Sequence, residues 1–209
     1  MATYRKTYLC ICEGQQERMY FDHLAKLIKD FPKKVVKFNT FIDSPHRLEK
    51  RYEEYDSAAI FDYDFNETEF YRNIEICNQL NKKLKPTKRN SGRHIYHAYS
   101  NVNFDLWLIL HKQDYNKRVS KNDAYINDVR RVYGLKRADD IKSEDVINKI
   151  LGQITLKDVK EAIKRAENIR IIKEESDSKN IFNTLIYENP DFSIHEFLRF
   201  VLKDSGDLR

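Results

Sequence analysis

The chain has 209 residues, 41% hydrophobic and 34% charged, with five Gly, four Pro and a net charge of +5. That composition excludes a disordered or fibrous chain and allows one substantial core, with or without an appended helical part. No run approaches the roughly 20 apolar residues of a membrane span, and the opening Met-Ala-Thr-Tyr-Arg-Lys lacks a signal peptide's apolar region, so a cytoplasmic protein with no membrane partner is expected; the small basic excess suits a polyanionic partner.

Residues 7–12, Thr-Tyr-Leu-Cys-Ile-Cys, are β-rich and almost wholly apolar, the pattern of a parallel strand covered on both faces. Cys10, Cys12 and Cys77 cannot all pair, so reduced core thiols are expected, and no Cys/His set has zinc-ligand spacing. Glu13-Gly14 ends the strand, and from Glu17 the apolar positions Tyr20, Phe21, Leu24, Leu27 and Ile28 recur at helical spacing. The helix dipole accounts for Glu17, whereas Glu13, directly after a buried strand, gains nothing from burial.

A second strand is read at 35–42, then a short helix beginning near Ser44-Pro45 and carrying the charged residues 46–55. The third apolar run, Ser57-Ala-Ala-Ile-Phe-Asp62-Tyr-Asp64, ends in two carboxylates. Alternate side chains of a strand share a face, which predicts Asp62 and Asp64 together at its carboxyl end, where open α/β sheets bind ligands. Two such charges repel unless a cation lies between them, and hard oxygen donors suit Mg²⁺ or Mn²⁺. The plainer reading is an acid serving a turn or a helix N-cap. A helix carrying Phe70, Ile74, Ile76 and Leu80 follows. The order βαβαβα predicts an α/β fold with a mostly parallel central sheet of about four strands flanked by helices.

Residues 82–93 hold six basic residues and no acid, with Pro86 and Gly92 keeping the stretch irregular. A solvated loop and a phosphate-contacting strip through Lys88, Arg89 and Arg93 are both open readings. A fourth strand at 94–100 leads to Asn103 and a buried helix at 104–111 that contains Asp105 and ends at His111. Asp105 either complements the helix dipole or reaches the same site as the other acids, and His111 reads as a core histidine bracing that site. Beyond His111 the pattern is helices without strands: 126–133 ending at Gly134, and capping-box-like Thr155-x-x-Asp158 and Ser193-x-x-Glu196 before helical stretches. Residues 157–173 alternate acids and bases, as a solvent-facing helix or an extension of a nucleic-acid track would.

Three blocks together resemble the RloB-like proteins, a bacterial defence family related to the Toprim (topoisomerase-primase) domain. They are Ile11-Cys-Glu13-Gly14-Gln-Gln-Glu17-Arg-Met-Tyr20-Phe21, Ile60-Phe-Asp62-Tyr-Asp64, and Ser100-Asn101-Val-Asn-Phe104-Asp105-Leu-Trp107-Leu-Ile-Leu110-His111. The family's usual forms are Glu-Gly-x-x-Thr-Glu-x-x-Tyr-Phe, Asp-x-Asp and Ser-Asn-Pro-x-Phe-Glu-x-Trp-Leu-x-x-His, and Asn189-Pro190-Asp-Phe-Ser193-Ile-His-Glu-Phe-Leu198 resembles its closing segment. Gln16, Val102 and Asp105 depart from the usual Thr, Pro and Glu.

The resemblance implies a Toprim-like α/β core over residues 1–115, with a helical extension over 116–209 packed on it as one unit. It implies Glu13, Asp62 and Asp64 as catalytic acids and ligands of Mg²⁺ or Mn²⁺, Glu13 moving a proton, with Glu17 and Asp105 as auxiliary ligands. The activity implied is a metal-dependent nuclease of a phage-defence or restriction-associated system, acting on RNA or DNA, with a defence ATPase as partner. A non-catalytic module binding nucleic acid or that ATPase is the competing class; metal-dependent cleavage separates the two.

Overall fold

The computed structural model describes residues 4–28, 34–50, 55–84, 93–173 and 178–208. Strand β1 (Tyr4–Cys12) runs at the centre of a parallel array, pairing along its whole length with β2 (Lys34–Ile42) and, through Leu9↔Ser57 to Cys12↔Ile60, with β3 (Ser57–Asp62). β4 (Ile95–Asn101) joins β3 in parallel. Helix α1 (Gln15–Ile28) connects β1 to β2, a 3₁₀ turn (Pro45–Lys50) precedes β3, and α2 (Glu67–Lys83) connects β3 to β4. The parallel α/β architecture read from the sequence is therefore the one observed, with β2-β1-β3-β4 extended by one antiparallel edge strand.

Period-2 burial explains why these strands read as continuous apolar runs. Tyr8, Cys10, Cys12, Ala58, Ile60 and Ala98 face one layer, while Leu9, Ile11, Ala59, Phe61, Ile95 and Tyr99 face the other. α2 covers the second face with Phe70, Ile74, Cys77 and Leu80. The first face takes α1 and α3 (Phe104–Leu110), then the helices that follow: α4 (Ile126–Val132), α5 (Glu144–Leu151), α6 (Leu156–Ile171) and α7 (Ile194–Asp204). Trp107, Val129, Ile147, Ile163 and Phe197 thus share one apolar cluster with β1. All three cysteines are buried and unpaired. Among the described residues no helix is long and apolar enough to cross a membrane.

Several local expectations need correction. The region after His111 is not helical throughout: β5 (Ser178–Ile181) and β6 (Thr184–Tyr187) form a hairpin, and β7 (Asp191–Phe192) pairs antiparallel with Ser100 and Asn101 of β4. β5 is polar and half-exposed, and β7 is two residues long, so neither carries a readable period; tertiary pairing makes them strands. Phe182 and Asn183 both have positive φ, as a two-residue hairpin turn of the right twist demands.

Thr155 and Asp158 do form a capping box, but Ser193 does not cap α7. Its hydroxyl accepts from Tyr99 N–H and donates to the His97 carbonyl, anchoring the chain to β4. α6 is not wholly solvent-facing, because Val159, Ala162, Ile163, Ala166 and Ile169 bury one face. Of the basic stretch, Lys82 and Lys83 belong to the last turn of α2, and residues 85–92, with Lys88 and Arg89, lie outside the described residues. The charged stretch after Ser44 forms the 3₁₀ turn as far as Lys50, and 51–54 also lie outside.

A buried charge network fixes the hairpin. Tyr99 Oη and Tyr187 N–H donate to Asp191 Oδ2 at 2.6 and 3.0 Å, and Arg170 Nε stands 3.2 Å from Asp191 Oδ1. Asp191 is fully buried, so its charge is held by these three groups together.

Candidate active site

At the carboxyl edge of the parallel sheet, β1 and β3 end side by side. Glu13 N–H donates to the Ile60 carbonyl, continuing the ladder one residue past β1, and this lays the Glu13 carboxylate over β3, where Oε2 accepts from Asp62 N–H at 2.9 Å. Asp62 in turn accepts from Phe104 N–H, 3.1 Å from Oδ2, at the first residue of α3. Asn103, at the N-cap position, makes no side-chain cap bond; its amide donates to the Asn122 carbonyl. Asp62 therefore caps α3 from a neighbouring strand, which is the plain reading of this acid, in addition to meeting Glu13.

Asp64 arrives differently from the expectation. β3 ends at Asp62, and the chain then turns through left-handed Asp64 and Phe65, at φ 43° and 55°. Strand alternation thus stops before Asp64. The turn is pinned by the Val102 carbonyl, which accepts from Tyr63 and Asp64 N–H at 3.0 Å each. The Asp64 side chain is exposed, and its electrostatic neighbours are Lys142 and Asp105.

Glu17 lies in the first turn of α1 and is buried. Its Oε2 has no hydrogen-bond partner. Gly14 makes room for it, since a Cβ there would stand 2.9 Å from Glu17 Oε2. Burial, above all, raises the Glu17 pKa to about 7, with Glu13 and Asp105 adding to it and the Lys142 ammonium opposing. Desolvation and the neighbouring carboxylates Glu17, Glu13 and Asp64 raise Asp62 well above the usual carboxylate range; the Phe104 N–H pulls the other way. Glu13 and Asp64 are also raised, again chiefly by desolvation. Desolvation, complete at Glu17 and Asp62 and partial at Glu13 and Asp64, acts with like-charged neighbours to raise each of these acids.

The resident cation is Lys142, which sequence reasoning misses. A turn in which Lys142 N–H donates to Asp140 Oδ1 presents it just before α5, and its Nζ donates to Asp105 Oδ1 at 3.1 Å and Gln16 Oε1 at 3.0 Å. Asp105 is buried, while the Lys142 side chain is about half exposed at 53%. Gln16, which stands where the resembled family has Thr, also donates to the Ile141 carbonyl at 3.4 Å, tying α1 to the lysine's segment. No signal in the sequence separates Lys142 from the chain's other basic residues.

His111 is buried, with Nδ1 2.9 Å from the Trp107 carbonyl and Nε2 3.1 Å from Tyr20 Oη. Donation from Nδ1 leaves Nε2 to accept from the tyrosine, a neutral ring, and burial drives its pKa down to about 4. It braces α3 against α1 without facing solvent. Arg93 is described, but its companions Lys88 and Arg89 are not.

Five carboxylates thus converge electrostatically on one edge, around one ammonium. Among the described residues no three Cys, His, Asp or Glu side chains are arranged to hold a metal ion as they stand. The donor chemistry nonetheless suits a hard divalent cation, and the unbonded, buried Glu17 Oε2 is an atom such a cation would satisfy. Compared with known proteins, the chain matches the family model described as RloB-like protein over residues 8–198. No curated protein and no solved structure matches it.

Proposed function

The chain belongs to the RloB-like protein family, and on that premise we propose that it is a Toprim-type, Mg²⁺- or Mn²⁺-dependent nuclease that hydrolyses phosphodiesters of RNA or DNA in a bacterial phage-defence or restriction-associated system, alongside a defence ATPase. The observation that carries this reading is the Glu13 carboxylate laid on Asp62 N–H at the sheet edge, electrostatically coupled to Glu17, Asp64 and Asp105, with a buried Glu17 oxygen left unbonded.

Glu13, Glu17 and Asp62 are the residues that would hold the ion, with Asp64 and Asp105 beside them. Bound there, a divalent cation supplies charge neutralisation at the phosphate and a more acidic water. Glu13 is exposed and favours its proton more than a free carboxylate does, so it is suited to exchange a proton with solvent and substrate. Lys142, half-exposed, offers a point charge to a non-bridging phosphate oxygen. Asp62 also keeps the start of α3 in register with β3, through the Phe104 N–H that its Oδ2 accepts.

Two observations favour a non-catalytic binding module instead: Asp105 is already neutralised by Lys142, and Asp62 already caps α3. Purified protein incubated with total RNA, single-stranded DNA and plasmid, with and without Mg²⁺ or Mn²⁺, decides between them. The nuclease reading expects metal-dependent cleavage that Asp62→Asn abolishes while the fold persists, because Asn Oδ1 still accepts from Phe104 N–H. Equal cleavage by Asp62→Asn, or none by the parent, overturns it.

A further inference from the structure

The loop that carries Asp64 also borders a cleft of about 460 Å³ on the far side of β3, between the β3–α2 turn and the β5–β6 hairpin. That is within the roughly 300–1,000 Å³ of small-molecule sites. Aromatic rings share its walls with polar and charged side chains. Tyr63 and Phe65 stand on one side, their rings in edge contact at 5.6 Å, and Tyr187 of β6 lines it as well. Phe65 is 42% exposed and sits on a left-handed backbone, a conformation unfavourable for an aromatic residue, so the turn holds a large ring in solvent against both its burial and its backbone preference.

Two further features point to a ligand. Asn101 lines the cleft at the end of β4 and is only 4% exposed; its Nδ2 donates to the Tyr187 carbonyl, and its Oδ1 has no hydrogen-bond partner. An unmet acceptor beside aromatic rings matches an amino or imino N–H on the edge of a base. At the rim, Arg118 and Lys179 form ion pairs with Glu188 and Glu67, both cations about two-thirds exposed. Such exposed pairs contribute little and exchange readily for a phosphate.

We propose that this cleft seats an unpaired base of a single-stranded nucleic acid, stacked on Phe65 and Tyr63 or Tyr187, with the adjoining backbone crossing the rim toward the carboxylate edge. This deepens the nuclease reading, on which it rests for the identity of the polymer, and it names an unpaired strand as the form recognised. Stacking explains the rings, because every base has a π-face, and it is available only where the base is not already stacked in a duplex.

The test is fluorescence anisotropy in EDTA, so that nothing is cut, with labelled oligo-U and oligo-dT of about 12 nucleotides and a duplex of the same length. The parent is expected to bind the single strands more tightly than the duplex. Phe65→Ala, at an exposed position, weakens single-strand binding by about 5- to 160-fold, the effect of losing one stacking ring, and Phe65→Trp restores it. The oligo-U and oligo-dT arms report which sugar is preferred. Phe65→Ala and Tyr187→Leu both binding like the parent, or equal losses on the duplex, overturn the proposal. Unchanged binding by those variants together with normal metal-dependent cleavage removes the cleft alone. The expected binding pattern in a protein that cleaves nothing removes the nuclease reading and leaves the cleft.

Discussion

Replacing Glu17 by Gln tests the electrostatics of the carboxylate edge without touching its shape. In the folded protein Glu17 titrates at about 7 against an ordinary 4.5. The folded state therefore holds this proton more tightly than the unfolded chain does. Below about pH 4.5 both states are protonated and the stability is fully present. Between about 4.5 and 7 the unfolded chain ionises first, and stability falls by about 1.4 kcal/mol per pH unit. Above about 7 the loss is complete, roughly 3 kcal/mol over the 2.5 units between those two values. Gln has no proton to lose, so Glu17→Gln is expected to match the parent near pH 4.5 and exceed it by up to about 3 kcal/mol near pH 8. For a chain of this length that is about 6–12 °C in Tm. Thermal melts of both proteins across this range measure it. Adding Mg²⁺ near pH 8 is expected to narrow the gap, because the proposed site would hold the cation more tightly with the Glu17 carboxylate than with the Gln amide, and only in the folded state. A variant no more stable than the parent near pH 8 refutes the claim that Glu17 is a buried, cation-seeking charge.

Gly14→Ala places a methyl 2.9 Å from Glu17 Oε2 and must displace that carboxylate; it is expected to lower metal affinity and cleavage while changing stability by less than about 1 kcal/mol, read by calorimetric titration beside a melt. Ser193→Ala removes the acceptor of the buried Tyr99 N–H and is expected to cost about 1–3 kcal/mol, a Tm fall of about 2–12 °C, with cleavage unchanged at temperatures where the variant stays folded. Replacing Lys88, Arg89 and Arg93 together by Ala is expected to reduce the salt dependence of nucleic-acid binding by about 0.7–0.9 in logarithmic slope for each phosphate those side chains neutralise; an unchanged slope assigns the stretch to solubility.

The residues legible in the sequence are those whose place follows from the chain's own path. An acid directly after an apolar strand must lie at the sheet's carboxyl edge, so Glu13 and Asp62 are found by position alone, and parallel neighbours bring their ends together. Asp64 is not placed by strand alternation, because the strand ends at Asp62 and a left-handed turn carries the chain on from there. Lys142 and Gln16 are invisible as partners, since their hydrogen bond spans 126 positions and depends on how α5 is presented to α1. Ser193 misleads because a local capping pattern competes with a distant, buried backbone donor, and that donor claims the hydroxyl. The hairpin escapes notice because half-exposed strands of four residues leave no period to read.

The two-residue strand β7 bears on how far the chain can be divided. It is short, yet it covers the outer rim of β4 at Ser100 and Asn101, next to the end of the parallel array. An α/β fragment ending after α3 would present that rim as an open template for another chain, which is how sheets aggregate. The same fragment would lack Lys142 and leave the Asp105 charge buried without its partner. The carboxylate edge thus draws both a strand neighbour and a counter-charge from segments that follow α3, so a fragment ending there is expected to be less soluble and less stable than the whole chain.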